Sequence, residues 1–209
     1  MSILSNSSVV IIDYKMGNLR SVQKAFEKIG CNAIVSNDTE TILKANKLVL
    51  PGVGAFKDGM KHLTDLNLIS ILNQKVLEEK TPILGICLGM QLFSKKSYEY
   101  GETQGLGWID AEVVKFEFNI QNLKIPHVGW NEVYQENENI LFTNIKDKHD
   151  FYFVHSFYFK PNEDVTIGTT EYGFEFTSVV NKDNIFATQF HPEKSQSAGL
   201  QLLKNFMEL

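Results

Sequence analysis

Cysteine is scarce in this sequence: only Cys31 and Cys87 occur among 209 residues. Two thiols do not make a disulfide framework in a chain of this size, so the expected compartment is the reducing cytoplasm, where a thiol stays free to react. Positive charge is also short. Twenty Lys and Arg stand against 25 Asp and Glu, a formal net charge of -5, with no basic run. That argues against nucleic acid as the main partner, because a phosphate track needs clustered cations. No apolar run approaches the length of a membrane span. The opening stretch, Met1 to Ser8, lacks the basic start and long apolar core of a signal peptide. There is no repeat, low-complexity tract or linker, so one domain is expected over residues 1–209. Hydrophobic content of 43% against 22% charged is ordinary for a soluble globular protein with a sizeable core.

The first half alternates short apolar runs with helical patterns. Ser8 to Asp13, Ala33 to Ser36, Lys47 to Leu50 and Pro82 to Cys87 read as strands, the first as one buried on both faces. Between the first two, Leu19, Val22, Phe26 and Ile29 recur at helical spacing and Gly30 closes the helix. Thr39 to Ala45 suits a short helix, and Met60, Leu63, Leu68, Leu72 and Val76 suit one or two more. This alternation predicts an α/β fold with a mostly parallel central sheet flanked by helices. Ligands of such sheets sit beyond the carboxyl ends of the strands. Asp13, the Pro51–Gly54 stretch and Cys87 all fall there. From about Gly101 the pattern turns β-rich and aromatic. Strands are expected at 113–118, 150–159 and 185–190, and the chain closes with a helix carrying Leu200, Leu203, Phe206 and Met207.

The chemistry concentrates in three places. Gly85-Ile86-Cys87-Leu88-Gly89 has the Gly-x-nucleophile-x-Gly spacing of a strand-to-helix elbow. Flanking glycines let such a turn tighten, and a helix N-terminus behind the sulfur favours thiolate. The plain alternative is a packing cysteine. Second, His191-Pro192-Glu193 follows a strand. In an extended segment residues two apart share a face, so His191 and Glu193 supply a base and its orienting group. Alone, the motif reads more readily as a solvated turn; beside the cysteine elbow the balance reverses. Third, Pro51-Gly52-Val53-Gly54 is either a strand-ending turn or an oxyanion hole in which backbone N–H groups meet a carbonyl. The N–H of Leu88 would be the second donor. No Gly-Lys-Ser/Thr follows, which excludes a Walker phosphate loop.

The blocks Leu50–Phe56, Gly85–Gln91 and Gln189–Ser195, in that order, resemble the class I (triad) glutamine amidotransferases. The stretches Asp13–Val22, Pro126–Asn131 and Tyr152–Ser156 narrow the resemblance to the HisH family, the glutaminase subunits of imidazole glycerol phosphate synthases. The resemblance implies a flavodoxin-like sheet and a Cys-His-Glu triad of Cys87, His191 and Glu193. It implies an oxyanion hole from Val53, Gly54 and Leu88, glutamine held by Gly52, Gln91, Ser156 and Phe157, and Lys194 facing the ammonia exit. It implies no cofactor and no metal. It also implies a heterodimeric partner, HisF, a (β/α)8 barrel that receives the ammonia and forms imidazole glycerol phosphate and an aminoimidazole carboxamide ribotide. Glutaminase action is then nearly idle until the barrel holds its acceptor, and the Gly52–Gly54 loop turns to complete the oxyanion hole. Because the glutaminase pattern spans the chain, the acceptor site is expected on another polypeptide.

Some residues depart from that pattern. Lys15 stands where many relatives have glycine, which leaves the chemistry intact. Ser97–Glu102, Gly105–Ile109 and Phe176–Ser178 look more like a paralogous branch that supplies ammonia for bacterial surface-sugar synthesis. His155 is a rival base, read here as a hydrogen-bonded strand histidine near the pocket. Two other functions compete: a cysteine hydrolase of γ-glutamyl or peptide bonds, and a binding module that keeps the fold without catalysis. The HisH-like stretches count against the first and the complete triad against the second.

Overall fold

A computed structural model describes residues 8–118 and 123–209; the opening stretch read for a leader lies almost wholly outside the described residues. The first half holds β1 (Ser8–Ile12), α1 (Leu19–Lys28), β2 (Asn32–Ser36), α2 (Thr39–Leu43), β3 (Leu48–Gly52), α3 (Phe56–Asp65), α4 (Leu68–Asn73), β4 (Ile83–Cys87) and α5 (Leu88–Leu92). A π-helical turn, Gln74–Glu78, extends α4. The second half holds β5 (Lys96–Ser97), β6 (Thr103–Gln104), β7 (Ala111–Lys115), β8 (His127–Gln135), β9 (His149–His155), β10 (Phe157–Pro161), β11 (Thr166–Glu171), β12 (Glu175–Lys182), β13 (Ile185–Thr188) and α6 (Gln196–Met207).

The strands run β2-β1-β3-β4-β13-β12-β10-β7-β5-β6, with β11, β8 and β9 branching from β12. The first five are mutually parallel. Antiparallel pairing begins at β12. The apolar runs explain this. Along β1, Val9 and Ile11 enter one core cluster, and Val10 and Ile12 enter the other. Opposite faces of one strand therefore feed two cores, as a period-two strand between helical layers must. Phe26 of α1 and Leu202, Leu203 and Phe206 of α6 cover one face. Ile42, Leu63, Leu72 and Leu92, from α2 to α5, cover the other. Each such fully buried side chain contributes roughly 1.5–3 kcal/mol.

Local signals set the element ends. The Asn18 side chain caps α1 by accepting from the Ser21 N–H at 3.3 Å. Gly30 closes it at φ +88°, while the Cys31 N–H returns to the Phe26 carbonyl. Lys15 adopts φ +65°, the left-handed conformation that glycine would take without strain.

The strand expected over 150–159 is two strands. β9 pairs with β8, whereas β10 pairs with β7 and β12, so the chain changes partners at Ser156. An unbroken aromatic run gives no sign of that change. The strand expected over 113–118 ends at Lys115, because Phe116 turns into an aromatic cluster with Tyr158, Phe174 and Phe176. The strand expected over 185–190 ends at Thr188. Among the described residues, no helix is long and apolar enough to cross a membrane.

Candidate active site

Cys87 sits at the β4–α5 corner with φ +55° and ψ −108°, a conformation that a non-glycine residue holds only when its surroundings enforce it. The flanking glycines permit it: a Cβ on Gly85 would lie 2.9 Å from the Met90 backbone nitrogen, so the turn is as tight as expected. A Cβ on Gly89 would lie 1.7 Å from the Leu50 carbonyl oxygen, so α5 rests directly on the backbone of β3. A Cβ on Gly85 would lie 2.6 Å from the Phe93 ring. Close packing of helix on strand is thus what both glycines permit. The helix behind the sulfur has only five residues, too few for a large dipole. The charged group coupled to the sulfur is His191.

His191 does not reach Glu193 along an extended segment. Pro192–Lys194 form a 3-10 turn with His191 as its cap, and the turn brings His191 Nδ1 to 2.8 Å from Glu193 Oε1. Pro192 suits the first turn position because its missing N–H is not needed there. Three contacts lock the turn. The His191 N–H donates to the Tyr152 carbonyl, and Ser195 Oγ donates to the His191 carbonyl at 2.7 Å. The Tyr152 N–H donates to Ser195 Oγ at 3.0 Å. Gly199 of α6 then packs so closely on Pro192 that a Cβ would fall 1.9 Å from its carbonyl oxygen. Sequence gives Ser195 no role; its place four residues after His191, before a helix, is the available signal.

Both groups are buried, Cys87 at 6% and His191 at 2% exposure. Burial alone would lower the His191 pKa, but the Cys87 sulfur and the Glu193 carboxylate outweigh it and raise the value to about 10. His191 is thus held as the cation, and its Nε2 has no hydrogen-bond partner among the described residues. Buried orphan polar atoms are rare and cluster at functional sites.

His155 behaves differently. It is buried, its Nδ1 lies 2.8 Å from the Phe157 carbonyl and its Nε2 3.0 Å from His127 Nδ1. Burial lowers its pKa to about 3. A ring so engaged and so reluctant to protonate suits the reading of His155 as a hydrogen-bonded strand histidine.

A cavity of about 470 Å³ opens in front of the sulfur, lined by Val53, Gly54, Cys87, Leu88, Gln91, Glu99, Pro126, Val154, His155, Ser156, Phe157 and Lys194. The structure therefore brings together the three residues read as oxyanion donors, three of the four read as glutamine contacts, and Lys194. The fourth, Gly52, lies beneath. It pairs in register with Cys87, and a Cβ there would meet the Tyr14 hydroxyl at 2.0 Å.

Two residues in this region were given no role by the sequence. Tyr14 is fully buried, its hydroxyl has no partner, and burial, then the Cys87 charge, push its pKa far above the usual range. Glu99 accepts from the Phe56 N–H at 2.7 Å, holding the start of α3 just beyond the Gly54 loop. Only the fold brings Glu99 to the cavity, 12 residues after Cys87. Among the described residues, no group of three His, Cys, Asp or Glu could hold a metal ion.

A cysteine at a strained strand-to-helix corner, electrostatically coupled to a carboxylate-held histidine, is consistent with the amidotransferase class. The model of the family "Glutamine amidotransferase class-I" matches residues 10–209, and the chain belongs to that family. Solved structures agree on the fold. One described as a glutamine amidotransferase superposes with TM-score 0.74 at 19% identity, covering 95% of this chain and 97% of that one. PurLQS from Thermotoga maritima superposes with TM-score 0.73 at 19% identity, covering 97% and 98%. Nearer in sequence is the imidazole glycerol phosphate synthase subunit HisH 1 of Campylobacter jejuni, serotype O:23/36. It is 54% identical over 201 residues, covering 96% of this chain and all of that protein. HisH 1 of Methanococcus maripaludis is 52% identical over 206 residues, covering 96% and 99%. Within the class, the chain falls in the HisH group of glutaminases.

Proposed function

We propose that Cys87, His191 and Glu193 hydrolyse glutamine and that the ammonia passes to a HisF-type (β/α)8 barrel for histidine and purine-precursor synthesis. The observation that carries this is Cys87 on the wall of a cavity shared with the Gly54 loop, coupled to a His191 whose pKa the sulfur helps to raise. In this reading the thiolate attacks the side-chain amide carbon of glutamine. Negative charge moves to the carbonyl oxygen, where backbone N–H groups of Leu88 and the Val53–Gly54 loop receive it. The His191 Nε2–H protonates the amide nitrogen, the C–N bond breaks, and ammonia leaves a glutamyl thioester on Cys87. The now neutral imidazole takes a proton from water, the hydroxide adds to the thioester carbon, and the C–S bond breaks. Glutamate and the starting thiolate–imidazolium pair result. Glu193 holds the ring in one orientation throughout.

Gln91, Ser156, Phe157 and Gly52 are the proposed glutamine contacts. Lys194, whose Nζ stands 5.5 Å from the Tyr152 ring, flanks the proposed ammonia exit. A partner face is supported by apolar exposure on the same side. Val128 and Trp130 of β8 are 55% and 46% exposed, and Val53 of the cavity rim is 41% exposed. An exposed tryptophan with apolar neighbours suits a protein interface. The test is ammonia release from glutamine by the chain alone, with a HisF-type barrel, and with barrel plus its nucleotide acceptor. Release that rises strongly only in the last mixture is expected. A high rate for the isolated chain overturns partner control, and no release in any mixture overturns the glutaminase reading.

A further inference from the structure

The stretches around His127, Asn131 and His155 have no part in the triad, yet they meet it through one line of hydrogen bonds. Asn131 Nδ2 lies 3.3 Å from His127 Nε2 and also donates to the Glu171 carbonyl at 2.9 Å. His127 Nδ1 lies 3.0 Å from His155 Nε2, and His155 Nδ1 lies 2.8 Å from the Phe157 carbonyl. That carbonyl also receives Gln91 Nε2 at 3.0 Å, and the same nitrogen donates to Gln189 Oε1 at 3.2 Å. Gln189 Nε2 ends the line on Cys87 Sγ at 3.8 Å.

Each proton in this line is fixed by chemistry. A backbone carbonyl only accepts, so His155 carries its hydrogen on Nδ1 and accepts at Nε2. His127 must then donate from Nδ1 and accept from Asn131 at Nε2. Both rings are accordingly neutral; burial lowers their pKa values to about 4 and about 3. On the other side, Gln91 must turn its amide nitrogen to the Phe157 carbonyl. With both N–H groups spent, Gln91 offers only its oxygen to the cavity. Gln189 must in turn present its oxygen to Gln91 and its nitrogen to the sulfur. One main-chain carbonyl thus decides which end of each of two buried amides faces the site.

We propose that Gln189 is a positioning residue for Cys87: its amide, oriented by Gln91 and the Phe157 carbonyl, donates to the sulfur and favours the thiolate. The opposing contact is the Val154 carbonyl, 4.0 Å from Sγ, which can accept only from a protonated thiol. Gln189 is completely buried, so its amide cannot exchange the sulfur for water. The other titratable groups facing the sulfur are the His191–Glu193 couple after β13, Tyr14 after β1, and neutral His155 on β9, with Glu99 and Lys194 farther out on the cavity wall. Among these, Gln189 supplies a neutral donor whose strength does not change with pH.

This proposal rests on Cys87 being the nucleophile, and its test separates the two claims. Alkylation of Cys87 by iodoacetamide is followed by mass spectrometry across pH, with and without glutamine, in the parent chain and in Gln189→Leu and Gln189→Glu. A hydrogen bond to a charged group is lost in Gln189→Leu, so the midpoint rises by roughly one unit and alkylation below it slows about tenfold. Gln189→Glu keeps the side-chain shape, cannot donate when ionised, and raises the midpoint at least as far; it serves if the Leu variant does not fold. Unchanged midpoints in folded variants, with glutamine still protecting Cys87, overturn the role of Gln189 alone. If glutamine fails to protect Cys87 in the parent chain, the nucleophile reading itself falls.

Discussion

The two walls of the cleft are built by different physics. The Cys87 wall is backbone against backbone: a left-handed cysteine, two flanking glycines, and a helix seated on the Leu50 carbonyl. Its electrostatics are charged, with His191 raised to about 10 by the sulfur and Glu193 against the pull of burial. The facing wall, β8 and β9, is side chain against side chain. His127 stacks between Phe153 and Tyr172, with ring centroids 4.8 and 3.9 Å away, and its electrostatics are neutral. One wall holds charge. The other holds dipoles that point. A site needing both a nucleophile and a fixed substrate gains from keeping them apart, because a second protonated imidazole beside His191 would repel it.

Breaking the tight wall should have the largest effect. Gly89→Ala places a methyl group 1.7 Å from a backbone oxygen, and no side chain can move aside to admit it. A loss of at least ~3 kcal/mol in urea unfolding is expected. Parent-like stability would show that α5 does not depend on this approach.

Acid sharpens the contrast next. His127 and His155 have folded pKa values near 4 and 3, below the unfolded value of about 6.5. Their neutral burial costs nothing above that pH. Below it the unfolded chain takes protons that the folded chain refuses, so stability falls as pH drops from about 6.5 toward 4. The slope is about 1.4 kcal/mol per pH unit for each ring. His191 has the opposite sign: its contribution is complete below about 6.5 and is lost as pH rises toward its folded value of about 10. Urea midpoints measured across pH for the parent and His127→Phe should show a shallower acid slope in the variant. Equal slopes would deny that these rings are neutral in the fold.

The smallest effect concerns the outer surface of the neutral wall. Trp130→Ala should leave folding intact and weaken binding of a HisF-type barrel by about tenfold or more, read by calorimetric titration. Unchanged affinity would move the partner face elsewhere.

The charged wall was the more legible of the two in sequence. Its glycines, cysteine and His-Pro-Glu turn lie in short local runs where type and spacing carry the message. Even there the reason differed from the expectation: Gly89 answers to Leu50, 39 residues earlier, and His191 meets Glu193 through a 3-10 turn. The neutral wall is a property of pairing. Nothing local says that His127 opposes His155, that Ser156 is where the chain changes partners, or that Glu99 and Tyr14 arrive beside the cavity. An unbroken aromatic run looks the same whether it forms one strand or two. The parallel half was legible because strands buried on both faces must be continuously apolar.

The most direct test uses a diazoketone analogue of glutamine, which alkylates the thiol that would attack the amide carbon. Mass spectrometry after incubation should find one adduct, on Cys87, suppressed by excess glutamine. Cys31, buried and with its pKa raised by that burial, should stay unmodified. A folded protein in which Cys87 remains free, or in which both cysteines label alike regardless of glutamine, would contradict the assignment of Cys87 as the residue that opens the amide.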